Sequence, residues 1–422
     1  MKPDKSQQEA INSISKGIIN KTHKIQLLIG RGGFGKSYTV SHIVKELLSS
    51  GKINPEGIYF CGPTGKSADV LQNEIAHLNL PNEAMTIHRM LGCRGVDWEY
   101  NNENPLDAEV VFADEQSMVG SSLLARLLSS VATAASFVLV GDSAQLFPVS
   151  AGCPFADIVS TDNKEIIHEL KVCHRQKQGS LIADAAESVR HGNKIKYGAT
   201  GEYTLGGTRE DDLFLCAVDD NDNDNRHPVI LDEIVDIIKP WFDNDDDFVV
   251  ICPQHGGPIG VTEINKHIQL ELNSDAAGVP VGDSFFGLGD LIRQTKNNYE
   301  LGVFNGMIGR VTSIGGGGVL TARFGNKEIV YTEMKQLFDI TLGFCVSIHA
   351  SQGSGYDKGI IVADRSHSFM WSRSLLYVAI TRFKKKCYII GQKTVVARAI
   401  RNDKKDARMT YLGDVLNQEE TR

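Results

Sequence analysis

The sequence predicts an α/β protein with parallel sheets, and three observations predict it. Short apolar, β-branched runs alternate with helix-length segments in both halves of the chain, the pattern of βαβ units. A glycine-rich run at 30–37 falls where one such strand gives way to one such helix. A block of short strands at 282–331 interrupts the second half and reads as an inserted small barrel.

Taken in order, residues 25–29, 57–61, 110–113 and 137–140 are near-continuous apolar runs, as expected of parallel strands covered on both faces. Residues 37–49 and 66–76 read as helices between them. Residues 92–107 are polar, hold Trp98 and Tyr100, and read as a small excursion between core elements. In the second half, 248–252, 344–348, 359–362 and 387–390 read as strands, with helices at 262–272 and 373–380. The inserted block holds strands at 290–295, 307–314, 319–324 and 328–331, with a glycine turn at 315–318.

The chain has 422 residues, of which 41% are hydrophobic and 23% charged, so it can bury a core and is not broadly disordered. No apolar run nears the ~20 residues of a membrane-spanning helix. The polar first ten residues lack the apolar stretch of a secretory signal. A cytoplasmic protein with no membrane partner is expected. Eight cysteines include no C-x-x-C pair, which excludes a zinc ribbon; Cys61, Cys252 and Cys387 lie in strand-like runs and read as small core residues.

The net charge of −8 argues at first against a nucleic-acid partner. Its distribution reverses that. Residues 210–247 alone carry −12, which leaves the remaining 384 residues at +4. Within that acidic segment, 219–225 reads as a solvated loop and 230–242 as an amphipathic helix. Residues 382–408 hold ten Lys or Arg against two acids. Any nucleic-acid affinity should therefore be salt-sensitive, with the acidic segment facing away from the bound strand.

Chemistry enters at Gly30, Arg31, Gly32, Gly33, Phe34, Gly35, Lys36 and Ser37, which fit G-x-x-x-x-G-K-[ST] between a strand and a helix. Backbone N–H groups of such a loop cradle phosphate oxygens, and the helix N-terminus adds its positive end. Lys36 would reach the outer phosphates and Ser37 would ligate Mg²⁺. A second strand ends in Asp114 and Glu115: one carboxylate for the metal shell, the other for the attacking water. A third ends in Gly141, Asp142, Ser143, Ala144 and Gln145, where the glutamine can sense the terminal phosphate. Arg175 and Arg382 are candidate cations for the charge that develops in phosphoryl transfer.

These segments, with seven others, occur in a familiar order. The chain resembles superfamily 1 helicases of the 5′-to-3′ group, close to the RecD-like and phage Dda-like enzymes. Gln7–Ile11 resembles the N-terminal glutamine motif, with Gln7 expected at the adenine. Residues 30–37 match motif I, 62–68 motif Ia, 86–91 the next DNA-facing motif, 114–118 motif II and 141–149 motif III. His174, Arg175 and Gln176 match motif IV, Asn305–Gly309 the segment typical of an inserted SH3-like domain, 347–353 motif V and 376–382 motif VI. The matches run almost end to end.

The resemblance implies two RecA-like domains with ATP between them, a small β-hairpin pin and an inserted SH3-like barrel. It implies a first domain at 1–170 with the pin at about 92–107, a second at 171–281 and 336–422, and the inserted domain at 282–335. Lys36, Ser37, Asp114, Glu115 and Gln145 come from the first domain; Arg175 and Arg382 would reach across from the second. Pro63, Thr64, Thr86, His88, Asn305, Ser347, His349 and Gln352 would line a single-strand track, and Trp98 or Tyr100 could stack on the last base pair. The implied cofactors are ATP and Mg²⁺. The implied partners are single-stranded DNA and duplex junctions, with single-strand-binding or replication proteins besides, for a monomeric enzyme.

Three positions depart from the family pattern. Phe34 replaces a small or hydroxyl residue, Gln116 stands where alanine is usual, and Ala350 replaces a common lysine. These bear on rate and affinity, and Phe34 and Gln116 leave open a nucleotide-gated strand-binding protein with weak ATPase. An RNA-directed helicase of the same superfamily is the nearer alternative; no 2′-hydroxyl reader is identifiable.

Overall fold

A computed structural model describes residues 2–161, 163–174, 179–198, 212–219, 226–403 and 412. The chain divides into two compact units, Met1–Arg175 and Gln176–Lys404, and Leu412 packs on the first.

In the first unit, α1 (Lys5–Ile19) leads into β1 (Ile25–Ile29), α2 (Lys36–Ser50), β2 (Ile58–Gly62), α3 (Gly65–Ile75), β3 (Met85–Thr86) and the short α4 (Ile87–Met90). A two-stranded hairpin, β4 (Cys93–Arg94) and β5 (Asp97–Trp98), precedes β6 (Val110–Ala113), α5 (Ser121–Ser129), β7 (Ser136–Gly141), α6 (Pro154–Val159) and β8 (Ile167–Glu169). Six strands form one parallel sheet in the order β3-β2-β6-β7-β1-β8. Alternate residues serve opposite faces. Leu28, Phe60, Phe112 and Val138 join a core with α1 and α2, while Leu27, Cys61, Val111 and Phe137 face a second core with α5 and α6. Two-sided burial is why these strands read as unbroken apolar runs.

The second unit begins with α7 (Leu181–Arg190), β9 (Leu213–Ala217), α8 (Arg226–Asp243), β10 (Phe248–Cys252) and α9 (Val261–Asn273). The antiparallel part follows: β11 (Gly278–Val281), β12 (Ser284–Gly287), β13 (Leu291–Gln294), β14 (Ile308–Ile314), β15 (Leu320–Phe324), β16 (Lys327–Tyr331), α10 (Met334–Leu337) and β17 (Ile340–Leu342). The chain then returns through β18 (Cys345–Ser347), β19 (Tyr356–Ala363), α11 (Arg373–Ile380), β20 (Phe383–Gly391) and α12 (Lys393–Arg401). A five-stranded parallel sheet runs β18-β10-β19-β20-β9. A separate five-stranded antiparallel sheet runs β16-β15-β14-β13-β17 around its own core of Val311, Leu320, Phe324 and Tyr331. This antiparallel part spans 278–342, wider than the 282–331 read from composition and the 282–335 that the resemblance implies.

The acidic segment is less solvent-directed than its composition suggests. Its amphipathic helix is present as α8, but its last carboxylates are engaged by bases of the same unit. Asp245 accepts from Arg310 Nε at 2.7 Å and also pairs with Arg323; Asp246 pairs with Lys358. Residues 220–225, the predicted loop, lie outside the described residues.

Cys61, Cys252 and Cys387 are fully buried, as their sequence context predicts. Cys252 sits 3.9 Å from His367 Nδ1, with Asp364 close by. The trio is not a nucleophile: burial pushes the Cys252 thiol up to about 12, and the carbonyl oxygens of Ile259 (3.2 Å) and Gln254 (3.5 Å) accept from it. Among the described residues no helix is long and apolar enough to cross a membrane, and no cluster of His, Cys, Asp and Glu has the makings of a metal centre.

Candidate nucleotide and nucleic-acid sites

Parallel strands deliver their C-terminal ends to one edge of a sheet. In the first unit that edge collects the predicted residues in sheet order: Thr86 and His88 after β3, Pro63 and Thr64 after β2, Asp114 and Glu115 after β6, Gln145 after β7, and residues 30–37 after β1. Sequence positions far apart thus become neighbours, and the C-terminal edge is where open α/β sheets bind ligands.

The 30–37 loop begins where Gly30 N–H donates to the Gly141 carbonyl at 3.1 Å, continues through Gly32 in a turn, and reverses at Gly33 and Gly35. Those two have φ of 89° and 74°, a conformation glycine adopts without the penalty a Cβ brings. At Gly35 a Cβ would also lie 2.6 Å from Gln7 Nε2. The 15-residue α2 then starts with no side-chain cap, which leaves its first N–H groups for an anion. Buried Lys36 donates through Nζ to the carbonyls of Gly30 (2.9 Å) and Arg31 (3.4 Å), so its ammonium is held inside the loop. Ser37 follows on the first turn of α2, half-buried.

Phe34 does not obstruct this cradle. Its ring is buried in the core between α1 and α2, with the Arg31 guanidinium 5.3 Å from the ring centroid. Gln116 is buried as well and donates through Nε2 to the Asp114 carbonyl at 3.2 Å. Phe34 is therefore accommodated as packing, while the Gln116 amide is satisfied only at Nε2 and its Oε1 is buried without a partner.

Asp114 is buried at the end of β6. Desolvation, then the neighbouring Glu115 carboxylate, push it up to about 6, against the opposing charge of Lys36. Glu115 occupies left-handed backbone, φ 50° and ψ 40°, and its Oε2 is buried with no hydrogen-bond partner. Gln145 is buried too, and its Oε1 lacks a partner. Left-handed backbone at Glu115 and buried, unpartnered oxygens on Glu115, Gln116 and Gln145, at one edge of the sheet, are the signs of a site for a polar ligand.

Gln7 lies against the loop. It closes the capping box of α1, accepting from Asp4 N–H at 3.0 Å, and donates to the Phe34 carbonyl at 3.3 Å. Asp4, missed at the sequence level, and His174, named there only as part of motif IV, complete this corner. His174 N–H donates to the Gly33 carbonyl at 2.8 Å, and its Nε2 lies 2.7 Å from Asp4 Oδ2. Partial burial works against the Asp4 charge, but hydrogen bonds from Ser6, Gln7 and His174 hold its carboxyl below the ordinary range. The Asp4-x-x-Gln7 spacing is a capping signal that could have located Asp4; nothing local could have paired it with His174.

Arg175 lies outside the described residues. Arg382 is not the free cation its motif suggests: it is buried within the second unit, in a cage of oxygens. It donates to the carbonyls of Val378 (3.0 Å), Ser354 (3.1 Å) and Ser351 (3.5 Å) and to Thr381 Oγ1 (3.1 Å). Carbonyl dipoles offset its desolvation in place of a carboxylate.

Several track candidates have structural duties. Thr64 Oγ1 accepts from Ser67 N–H and caps α3, Thr86 Oγ1 accepts from Arg89 N–H and caps α4, and Pro63 precedes the first of these caps half-buried. His88 is exposed, with its ring centroid 5.4 Å from that of Trp98. Trp98 is half-buried at the base of the β4–β5 hairpin, not at its tip; the Arg126 guanidinium covers it at 5.4 Å, and the exposed tip residue is Val96. Tyr100 packs on the same core as Trp98.

In the second unit, Ser347 ends β18 and its Oγ accepts from Ala350 N–H at 3.3 Å; exposed His349 and half-buried Gln352 follow on the same turn. Asn305 is exposed in the antiparallel part, where Arg293 Nη2 donates to its Oδ1 at 3.2 Å. Arg293 is a further residue that the sequence did not single out.

Comparison with known proteins agrees with this geometry. Residues 3–205 match the AAA domain family, and residues 342–390 match the UvrD-like helicase C-terminal domain. The chain is 29% identical over 369 residues to the ATP-dependent RecD2 DNA helicase of Deinococcus radiodurans, covering 87% of this chain and 47% of that protein. It is 30% identical over 406 residues to the RecBCD enzyme subunit RecD of Mycobacterium tuberculosis, covering 89% of this chain and 68% of that one. The chain thus spans about half of one relative and about two thirds of the other. Its fold matches the Pif1 helicase from Bacteroides in complex with ADP-AlF3 and ssDNA (TM-score 0.58, 18% identity, 100% of this chain and 97% of that one). It also matches the Pif1 helicase of Candida albicans (TM-score 0.55, 17% identity, 99% and 100%). Two parallel-sheet, RecA-like domains are the fold these proteins share, and with the extent of the RecD match the chain belongs to the RecD-like family of superfamily 1B helicases.

Proposed function

We propose that this chain is an ATP- and Mg²⁺-dependent DNA helicase that moves 5′ to 3′ along a single strand and separates duplex ahead of it. The observation that carries the reading is the shared C-terminal edge of the first sheet. Lys36, Asp114, Glu115 and Gln145 stand beyond the ends of β1, β6 and β7, beside Thr64, Thr86 and His88 at the ends of β2 and β3. Nucleotide and strand would then share one rigid sheet, so a change at either is felt at the other. The names of the RecD2 and RecD relatives, and the bound ssDNA of the Pif1 neighbour, support DNA as the track.

In this reading Lys36 and the first N–H groups of α2 bind the phosphates, and Gln7 reads the base. Ser37 and Asp114 hold Mg²⁺, which when bound neutralises phosphate charge. Asp114, with its raised proton affinity, is the group such a cation would most strongly hold ionised. Glu115 orients and deprotonates the attacking water, and Gln145 senses the terminal phosphate. Arg175 and Arg382 supply the cations; Arg382, in the second unit, must leave its carbonyl cage to do so. Ser347, His349, Gln352 and Asn305 extend the track. The two units are the first and second motor domains, the antiparallel part is the SH3-like domain, and β4–β5 is the pin. The enzyme acts as a monomer at single strands and junctions, with single-strand-binding or replication proteins as its companions.

Unwinding of 5′-tailed and 3′-tailed DNA duplexes with ATP tests this directly. Separation of the 5′-tailed substrate alone is expected. Preference for the 3′ tail would overturn the direction, and activity confined to RNA duplexes would overturn the substrate. Trp98→Ala should lower unwinding about tenfold, the scale of one lost stacking contact, because Trp98 fixes the hairpin between His88 and Arg126. Strand-stimulated ATPase should stay near the wild-type rate. Equal loss of both activities would count against a pin.

A further inference from the structure

We infer that Ser117 is a positioning residue for Gln145, acting through a small pocket that both line. The inference rests on the hydrolase reading above and adds a residue to it. The pocket lies between the turn that follows Glu115, the segment after β7 and the start of α6. Its lining includes Ser117, Asp142, Gln145, Phe147, Cys153 and Phe155, and it has room for about one water molecule.

Two of its polar atoms, Ser117 Oγ and Gln145 Oε1, are buried without a hydrogen-bond partner, on side chains that are 8% and 6% exposed. An amide oxygen only accepts, whereas a serine hydroxyl donates and accepts. The two atoms do not bond to one another, although their residues line one pocket. One water satisfies both: it accepts from the Ser117 hydroxyl and donates to Gln145 Oε1. Asp142 lies alongside, with Oδ1 already accepting from Ala144 N–H at 2.9 Å.

The consequence is chemical. Holding the oxygen end of the Gln145 amide in the pocket leaves Nε2 as the outward end. Gln145 then meets the nucleotide as a hydrogen-bond donor, suited to a phosphoryl oxygen, and not as an acceptor for the attacking water. Ser117, two residues beyond Glu115, thereby ties the orientation of the sensor to the turn that carries the general base.

A mutant cycle on DNA-stimulated ATP hydrolysis tests this. S117A should lower kcat about tenfold, the usual scale for a residue that orients a functional group, with KM for ATP little changed. S117T keeps the hydroxyl and should recover most of the loss. The double variant S117A/Q145A should turn over no more slowly than Q145A, since the two act as one unit. Wild-type kcat in S117A, no recovery in S117T, or losses that multiply in the double variant would each overturn the inference while wild-type turnover upholds the hydrolase reading. Absence of wild-type turnover would overturn that reading and this inference with it. Threonine recovery and non-additivity are outcomes that a merely structural role for Ser117 would not produce.

Discussion

Lys36→Ala should abolish ATP hydrolysis and strand separation, with turnover at least about a hundredfold down, the scale set by removing one fixed electrostatic contact to a transition state. Two effects add. The variant loses the only ammonium that the 30–37 loop holds in place, at 2.9 Å from the Gly30 carbonyl. It also removes the charge that opposes the upward shift of Asp114, so that carboxyl becomes harder to ionise. Some single-strand binding should survive, because Thr64, Thr86 and His88 stand on other strands. Steady-state ATPase and fluorescence anisotropy with a labelled oligonucleotide check both halves. Turnover within tenfold of wild type would remove Lys36 from the role assigned to it.

Glu115→Gln should lower hydrolysis by about 10²–10⁴-fold, the range for a general base, while nucleotide binding persists. The glutamine keeps the shape and loses the basicity. The same residue should show a conflict between stability and activity. Its φ of 50° is left-handed, and a non-glycine residue there costs roughly 1–2 kcal/mol. Its Oε2 is buried without a partner, and its charge raises the Asp114 proton affinity. Glu115→Gly should therefore melt higher than the wild type, by about 1 kcal/mol of stability, and be catalytically dead. Thermal denaturation alongside single-turnover hydrolysis reads both, and a glycine variant that melts lower would refute the strain argument.

The strands of both parallel sheets were legible because two-sided burial writes itself as unbroken Val, Ile, Leu and Phe. Ile25–Ile29, Val110–Ala113 and Phe248–Cys252 begin and end where the sequence predicts. The loop at 30–37 was legible for the same local reason: glycines, a lysine and a serine at fixed spacing between a strand and a helix. The edge strands β3 (Met85–Thr86), β8 (Ile167–Glu169) and β9 (Leu213–Ala217) were not, since two, three and five residues, the last inside the acidic segment, give little periodicity to read.

By itself the sequence determined the α/β class, the order of the nucleotide motifs and the concentration of acid in one segment. The tertiary structure decided what each motif residue touches. Phe34 is core, Trp98 stands at the base of its hairpin under Arg126, and Arg382 is caged by carbonyls from Ser351, Ser354 and Val378. At the end of the acidic tract, Asp245 and Asp246 are paired with Arg310, Arg323 and Lys358. The physical reason is range. Caps, turns and periodicity join residues three or four apart, and their signals lie side by side in the chain. The contacts that fix a side chain's role, such as His174 on Asp4 across 170 positions, exist only once the sheet has brought distant strand ends to one edge.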